Sequence, residues 1–117
     1  RMRAPAVNLC GRTTLWTLGA LVEGAELVVC NDTGISHVAA ALGRASVVVS
    51  SGSDAARWAP LDHERHEVLW RDVPCRPCSH AECPSASHEC AEAVTVGDAL
   101  AAVRRRVRTL AAGACHA

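Results

Sequence analysis

The sequence contains no phenylalanine, no tyrosine and no lysine, and its only tryptophans are Trp16, Trp58 and Trp70. A hydrophobic core therefore has to be built mainly from valine, leucine and alanine, and 50% of the chain is hydrophobic. The 117 residues suffice for one small domain and not for two. All twelve basic residues are arginine, which together with frequent alanine is typical of a GC-rich genome and points to no function.

Other absences exclude whole classes of protein. The formal net charge is zero and the only basic run is 104–108, so the positive surface of a nucleic-acid-binding protein is absent. No apolar run approaches the roughly 20 residues that span a bilayer, and residues 1–5 lead into no apolar signal-peptide core. Because the first residue is arginine, we expect the chain to begin inside a longer gene product. The odd count of seven cysteines, without a signal peptide, favours a reducing cytosol over a secreted disulfide scaffold.

Hydrophobic periodicity predicts alternating strands and helices. Apolar runs predict short buried strands at 6–11, 26–32, 45–50 and 66–70. Apolar residues that recur at intervals of three and four positions predict helices at about 14–23, 34–42 and 96–112. This order implies an α/β fold, a Rossmann-like parallel sheet with helices on both faces, and we expect the strand at 26–32 to be covered on both faces.

The last helix begins at Thr95-x-x-Asp98, which is close to a capping box. The arginines of 104–108 are predicted to lie on its solvated face, near the helix C-terminus. Residues 72–93, just before it, follow neither period and form a loop rich in cysteine and proline, and such long loops are usually functional or tied down. The predicted buried face of the helix comprises Val96, Leu100, Val103, Val107 and Leu110.

A polar cluster stands where the strand at 26–32 gives way to a helix, in the stretch NDTGISHVAAALG of 31–43. Ligands of open α/β sheets bind beyond the carboxyl ends of strands. Thr33 is predicted as the helix N-cap, and Gly34 lets a ligand approach the backbone amides that suit a phosphate. His37 can donate to a phosphate oxygen, and Asp32 can accept hydrogen bonds from sugar hydroxyls. The residue types alone leave a second interpretation open, in which Asp32 and Thr33 merely cap the helix and His37 lies on the surface.

Two arginines and a tryptophan are further candidates. Arg12 lies between a predicted strand end and a helix, so we expect it to face the same cleft. Arg57 and Trp58 follow the third predicted strand on the ligand side of the sheet. Arg57 pairs either with a phosphate or with Asp54 or Asp62. Trp58 either stacks on a nucleotide base or covers the edge of the core, and we favour the second.

These motifs together resemble the lipopolysaccharide heptosyltransferase family, also called glycosyltransferase family 9. Family members carry Gly-Arg-Thr-Ser/Thr-Leu, then Asn/Ser-Asp-Thr-Gly-x-x-His, then Ala-Ala-Ala-Leu-Gly. The matching segments here are 11–15, 31–37 and 39–43. Residues 53–60 resemble the family's Thr-Asp-Pro-x-Arg-Trp/Thr-x-Pro loop, and 73–90 its Pro-Cys-x-Pro-Cys segment, best known in the heptosyltransferase II branch. The family's Phe-Gly-Pro-Thr loop is replaced by Ser50–Ser53, which puts donor contacts there in doubt.

The resemblance implies an enzyme of the GT-B fold, in which two Rossmann-like domains enclose the active site. Residues 1–117 would be an incomplete C-terminal domain that binds a nucleotide sugar, commonly ADP-heptose, without a metal cofactor. The general base and the binding site for the acceptor, a growing lipopolysaccharide core, belong to the N-terminal domain, so we expect this chain alone to be catalytically silent. The resemblance places the enzyme in the bacterial cytoplasm, in peripheral contact with the inner membrane. The expected donor-binding residues are Asp32, Thr33, Gly34, Ile35, His37, Arg12 and Arg57.

The cysteine loop supports a rival hypothesis. Its spacing, Cys-x2-Cys-x4-Cys-x6-Cys with His80 and His88 between, contains a true zinc spacing in its first pair. The candidate zinc ligands are Cys75, Cys78, Cys83 and Cys90. A proline-braced loop with reduced thiols or a disulfide is the alternative that we favour. Cys10 and Cys30 are expected in the core and Cys115 free in the tail. A small zinc-stabilised binding module without catalysis, or an inactive truncated remnant, are the rival functions.

Overall fold

A computed structural model describes residues 4–114, in which three short strands form one parallel sheet in the order β1-β2-β3. The strands are β1 Val28–Asn31, β2 Ser46–Val49 and β3 His66–Leu69. Their register is aligned, because Val28 pairs with Ser46 and Ser46 pairs with His66. All three strands therefore end at one edge of the sheet, where the residues that follow them meet.

Helices cover this sheet. The described helices are α1 Leu15–Glu23, α2 Gly34–Ala41, α3 Ala55–Trp58, α4 Glu89–Glu92 and α5 Val96–Ala114. Helix α2 packs on β1 and β2, and α5 packs on β2 and β3. The successive residues Ser46, Val47 and Val48 point alternately to opposite faces and are all buried, so both faces of β2 are covered. The predicted α/β fold with a parallel sheet is confirmed. No helix within residues 4–114 is long and apolar enough to cross a membrane.

The strand predicted at 6–11 is wrong. Residues 4–12 form no strand, the Val7 side chain is 82% exposed, and Cys10 is exposed rather than in the core. Strand β1 is consequently an edge strand of the described sheet. Its Val29 is 54% exposed, so the prediction that this strand is covered on both faces is also wrong. A run of apolar letters signals a strand but not whether a neighbouring strand lies beside it.

Helix α5 begins as predicted but packs through a different face. The Thr95 amide donates to Asp98 Oδ2 at 2.9 Å and the Asp98 amide donates to Thr95 Oγ1 at 3.1 Å, which confirms the capping box. Ala102 is fully buried, whereas Val96 is 77% exposed and Leu100 50% exposed, so the predicted buried face is wrong at these positions and at the exposed Val107. Val103 and Leu110 of that face are half-buried. The small alanine side chain lets the helix axis approach β2 closely, which a larger residue prevents.

The arginine run is only in part a solvated face. Arg104 and Arg108 are exposed, as predicted. Arg105 and Arg106 both donate to the carboxylate of Glu67 on β3, and the bond from Arg106 Nε is 3.2 Å long. These hydrogen bonds lower the pKa of Glu67, and the bond from Arg105 has the larger effect. Two of the arginines thus tie α5 to the sheet.

One polar pair lies inside the sheet. Ser46 Oγ and His66 Nδ1 share a hydrogen bond of 2.8 Å across β2 and β3, and both residues are buried. Burial lowers the pKa of His66. The positive charges of Arg65 and Arg106 act in the same direction, and Asp62 opposes them. The folded protein therefore favours the neutral imidazole.

The His66 shift makes stability depend on pH. The unfolded imidazole titrates near its ordinary pKa of about 6.5, so below that pH the unfolded chain binds more protons than the folded one. We expect the free energy of unfolding to have its highest value above about pH 6.5 and to decline as the pH falls toward the lower pKa of His66 in the folded protein. Urea unfolding at pH values from about 5.5 to about 7.5, which bracket the ordinary histidine pKa, measures this pH dependence. His66→Asn should flatten this dependence and the exposed control His63→Gln should keep it. An equal slope in both variants would show that His66 is not the group responsible.

The close packing of α5 makes a second prediction. Ala102→Leu should lower the free energy of unfolding by about 1–3 kcal/mol, because the added atoms have no space between the helix and β2. Ala111→Leu, at an exposed position of the same helix, is the matched control and should change it by less than about 0.5 kcal/mol. Denaturant unfolding of both variants is the measurement, and equal effects at the two positions would contradict the packing described here.

Candidate functional site

The candidate site is the corner at Asp32–Ile35, where β1 ends and α2 begins, with Asp32 and Thr33 forming the turn between them. Thr33 occupies the N-cap position in extended backbone, but its side chain makes no cap hydrogen bond. Its hydroxyl instead donates to the Asn31 carbonyl at 3.4 Å. Its carbonyl accepts hydrogen bonds from the Ser36 amide at 2.9 Å and the Ser36 hydroxyl at 2.7 Å. The interpretation in which Thr33 caps the helix through its hydroxyl is therefore not what the structure shows.

The first amides of α2 are left open by this arrangement. Within residues 4–114, the amides of Gly34 and Ile35 donate to no protein acceptor. Gly34 is exposed, Ile35 is half-buried, and a Cβ placed on Gly34 would meet no atom within 4 Å. The backbone there faces open space, and the positive end of the helix dipole points into it.

Asp32 is half-buried beside these amides and is held from one side. Its Oδ2 accepts a hydrogen bond from Ser53 Oγ, with Ser50 Oγ 3.4 Å away, and its backbone amide donates to the Val49 carbonyl at 3.0 Å. No donor within the described part of the chain reaches Oδ1. The two carboxylate oxygens therefore differ: one is bound to the protein and the other is free to accept.

The serine loop, Ser50–Ser53 between β2 and α3, provides this contact with Asp32. From sequence, the loss of the family's aromatic and proline put its role in doubt, yet its Ser53 hydroxyl donates to the candidate carboxylate and its Ser50 hydroxyl lies 2.9 Å from that of Ser53. Ser50 and Ser53 were missed as site residues. Ser50 follows β2 as Asp32 follows β1, so the parallel alignment of these strands is the signal that would have placed the two together.

Arg76, from the cysteine loop at 72–93, was also missed, and it clamps the serine loop. Its Nη2 donates to Ser50 Oγ at 2.8 Å, and its Nη1 donates to the carbonyl of Ser51 and, at 3.2 Å, to that of Arg71. The guanidinium carbon lies 4.8 Å from the centre of the Trp70 ring, within cation–π range. No sequence pattern links Arg76 to Ser50, 26 positions earlier, or to Asp32, 44 positions earlier, because only the fold brings these residues together.

A second group of candidates, His37, Arg57 and Trp58, lies along one open cavity of about 560 Å³. The His37 and Trp58 ring centres are 6.3 Å apart, and the Arg57 guanidinium lies 5.1 Å from the Trp58 ring centre. Trp58 is 48% exposed, so it covers the core only in part.

The Arg57 guanidinium pairs with neither carboxylate considered from sequence. Asp54 accepts from the Arg57 amide at 3.3 Å, and Asp62 lies 3.6 Å from Arg65. No ion pair in residues 4–114 involves Arg57.

Arg12 is the candidate that the structure does not bring to the others. It is exposed in the segment before α1, its amide donates to the Leu9 carbonyl at 3.0 Å, and within the described chain its side chain contacts none of the corner residues. Its predicted role in donor binding therefore has no support from the geometry and stays a prediction.

The cysteine loop separates one of the four candidate zinc ligands from the rest. Cys75, Cys83 and Cys90 line a cavity of about 350 Å³, whereas Cys78 sits on the serine loop with its amide donating to the Gly52 carbonyl at 2.7 Å. Hydrogen bonds from the Ser85 hydroxyl, then from the backbone amides of His88 and Ser85, lower the pKa of Cys83 to about 7.

The metal hypothesis gains no support from this arrangement. Over 4–114 no group of three or more histidine, cysteine, aspartate or glutamate side chains is placed to hold a metal ion, and the zinc site stays a prediction. All six cysteines in that range are free thiols, and Cys115 lies outside it. Cys30 is half-buried on β1, so its predicted place in the core is met only in part. Burial, then the nearby charge of Asp32, raises the pKa of Cys30.

Comparison with known proteins agrees with the motifs. The family model of Glycosyltransferase family 9 (heptosyltransferase) matches residues 1–88. Lipooligosaccharide heptosyltransferase 2 of Campylobacter jejuni subsp. jejuni serotype O:2 (strain ATCC 700819 / NCTC 11168) is 29% identical over 83 residues, which cover 71% of this chain and 26% of that protein. The protein of the same description from serotype O:6 (strain 81116 / NCTC 11828) is 26% identical over 83 residues, with the same shares covered.

The chain thus spans 26% of the length of these curated relatives. No solved structure matches it at a significant level. The family model covers well over half of the chain, and the segments it covers include the corner at Asp32 and most of the cysteine loop. On these grounds, and as the resemblance predicted, the chain belongs to glycosyltransferase family 9, the heptosyltransferase family.

Proposed function

We propose that this chain forms the part of a glycosyltransferase that binds the donor, a sugar carried on a nucleoside diphosphate. The diphosphate lies against the first amides of α2, and a hydroxyl of the sugar donates to Asp32. The single observation that carries the proposal is the asymmetry of Asp32, whose Oδ2 is held by Ser53 while Oδ1 accepts no hydrogen bond from residues 4–114, just before the unpaired amides of Gly34 and Ile35 in the chain.

The corner has the chemistry that each half of such a donor needs. Backbone amides and the positive end of a helix bind anions, whereas a carboxylate repels a phosphate and accepts from neutral hydroxyls. The carboxylate and the amides therefore orient the ligand, so that its sugar lies toward Asp32 and its diphosphate toward Gly34. The same amides offset the negative charge that develops on the departing nucleoside diphosphate. In this proposal no metal ion is required for that step.

A cavity that His37 shares with α3 and the segment after it supplies further donors. Arg57 has a guanidinium without a carboxylate partner in residues 4–114, and His37 lies in the first turn of α2. Both line the cavity that Trp58 also lines. We assign Arg57 and His37 to the phosphates, because each side chain carries N–H donors and neither side chain forms an ion pair within residues 4–114.

The identity of the donor and acceptor rests on the relatives. Because those proteins are lipooligosaccharide heptosyltransferases, we propose a heptose donor, ADP-heptose as the family resemblance implies, and a lipopolysaccharide core acceptor. The acceptor and the general base are assigned to a second half outside these 117 residues, and the reaction to the cytoplasmic face of the bacterial inner membrane. These 117 residues alone should then bind a donor without transferring its sugar.

Binding of nucleotides to the 117-residue chain tests the proposal. ADP-heptose and ADP should both shift the amide NMR signals of residues 31–37, and calorimetry gives their affinities. Asp32→Asn should weaken ADP-heptose about 10- to 100-fold, since it removes a charged acceptor worth roughly 1.5–3 kcal/mol. The same variant should leave ADP itself unchanged or slightly tighter, because the diphosphate gains nothing from the carboxylate.

The matched control is Glu26→Gln, which removes an exposed carboxylate just before the start of β1, at the opposite end of the strand from Asp32. It should bind both ligands as the unmodified chain does. The proposal fails if neither ligand shifts the signals of residues 31–37, or if Asp32→Asn and Glu26→Gln behave alike.

A further inference from the structure

We propose that Arg76 is a positioning residue for the donor sugar, acting on Asp32 through the hydroxyls of Ser50 and Ser53. This inference rests on the proposed function, in which Asp32 receives a hydroxyl of the sugar. It assigns a role to the cysteine loop that neither its cysteines nor the family resemblance indicates.

The contacts of Arg76 are those of a clamp. Its guanidinium is half-buried against the Trp70 ring and donates to carbonyls of the two segments that leave β2 and β3. Its remaining nitrogen, Nη2, donates to Ser50 Oγ at 2.8 Å, and Ser50 is fully buried. A planar guanidinium with donors on both terminal nitrogens makes these bonds at once, which a single ammonium cannot do.

Counting protons gives the hydroxyl bonds one direction. Ser53 Oγ donates its only proton to Asp32 Oδ2. Ser50 Oγ lies 2.9 Å from Ser53 Oγ and 3.4 Å from Asp32 Oδ2, so its single proton goes to the nearer oxygen, that of Ser53. Arg76 fills the acceptor position on Ser50. The result is a chain of donors from Arg76 through Ser50 and Ser53 to the carboxylate, in which each bond strengthens the next.

This chain decides which oxygen of Asp32 remains free. While Ser53 holds Oδ2, rotation of the carboxylate is restrained, and Oδ1 remains the oxygen that accepts from no donor in residues 4–114. Removing Arg76 leaves the buried Ser50 hydroxyl without its donor and free to rotate. Ser53 then loses its fixed orientation, and Asp32 samples other rotamers. The diphosphate, which lies on backbone amides, should not feel this change.

The cysteine loop is seated on the serine loop at a second point. The Cys78 amide donates to the Gly52 carbonyl at 2.7 Å, and a Cβ added at Gly52 would lie 2.9 Å from Cys78 Cβ. Only glycine allows this contact without a shift of one loop. The position of Gly52 between Ser50 and Ser53 therefore keeps Arg76 in reach of Ser50.

Arg76→Ala in the 117-residue chain tests the inference by separating two ligands. We expect ADP-heptose to bind about 10-fold more weakly, the size typical when a group that orients a ligand-contacting residue is lost, and ADP to bind within about twofold of the unmodified chain. Arg76→Lys should fall between, since a lysine replaces one of the bonds. Arg65→Ala removes an arginine that also donates to a backbone carbonyl, that of Gly43, and is the matched control without effect.

A readout without ligand keeps this test independent of the proposed function. The carbon NMR signal of the Asp32 carboxylate should move in Arg76→Ala and in Gly52→Ala, which disturbs the seat of the loop and keeps the charge of Arg76. It should not move in Arg65→Ala. If no nucleotide binds the unmodified chain but this signal moves, the proposed function fails and the positioning of Asp32 by Arg76 stands.

Two results would overturn the inference. One is an Asp32 carboxylate signal that is the same in Arg76→Ala and in the unmodified chain. The other is an equal loss of affinity for ADP-heptose and ADP in Arg76→Ala, which would assign Arg76 to the general stability of the corner or to the phosphates. Circular dichroism of each variant establishes that it is folded, and Arg76→Lys supplies the comparison if Arg76→Ala is not.

Discussion

The alignment of three parallel strands is the constraint on which the rest of this molecule depends. Because Val28, Ser46 and His66 are paired in register, the strands end together at Asn31, Val49 and Leu69. The chain leaves the sheet three times at this edge, and each exit carries one part of the candidate site: a carboxylate and a helix start, a serine loop, and the segment that leads to Arg76. Shifting one strand by a residue would turn its side chains to the other face and separate these parts.

The arrangement answers why so polar a cluster stands at the start of a buried helix. A carboxylate near a helix N-terminus is attracted to the open amides and commonly binds them itself. Here Asp32 Oδ2 accepts from Ser53 instead, and the Thr33 hydroxyl is directed to the Asn31 carbonyl. The amides of Gly34 and Ile35 therefore stay open to a ligand. The cost of leaving them unpaired is small because they face solvent rather than the core.

The core beneath this edge is small, and its polar members matter accordingly. The fully buried residues of β2 include Ser46 beside Val47 and Val48, and the Ser46 hydroxyl shares a hydrogen bond with His66 on β3. Glu67, which follows His66 on β3, binds Arg105 and Arg106 of α5. With no phenylalanine or tyrosine to fill space, valine, alanine and paired polar groups hold the sheet to its helices. The cation–π contact of Arg76 with Trp70 extends this packing to the cysteine loop.

Much of this was readable in the letters, for a local reason. Periodicity, the capping box at Thr95 and Asp98, and the turn at Asp32–Gly34 depend on neighbours within a few positions, so the sequence by itself determined the α/β alternation, the start of α5, the open corner and the family. Tertiary structure alone decided which strands have neighbours, that α5 packs through Ala102, and that the cysteine loop folds back so that Arg76 reaches Ser50. Those contacts join residues far apart in the chain: Arg76 and Ser50 are 26 positions apart, and Arg106 and Glu67 are 39 positions apart. No local pattern encodes such a meeting, because it depends on how the whole chain is packed.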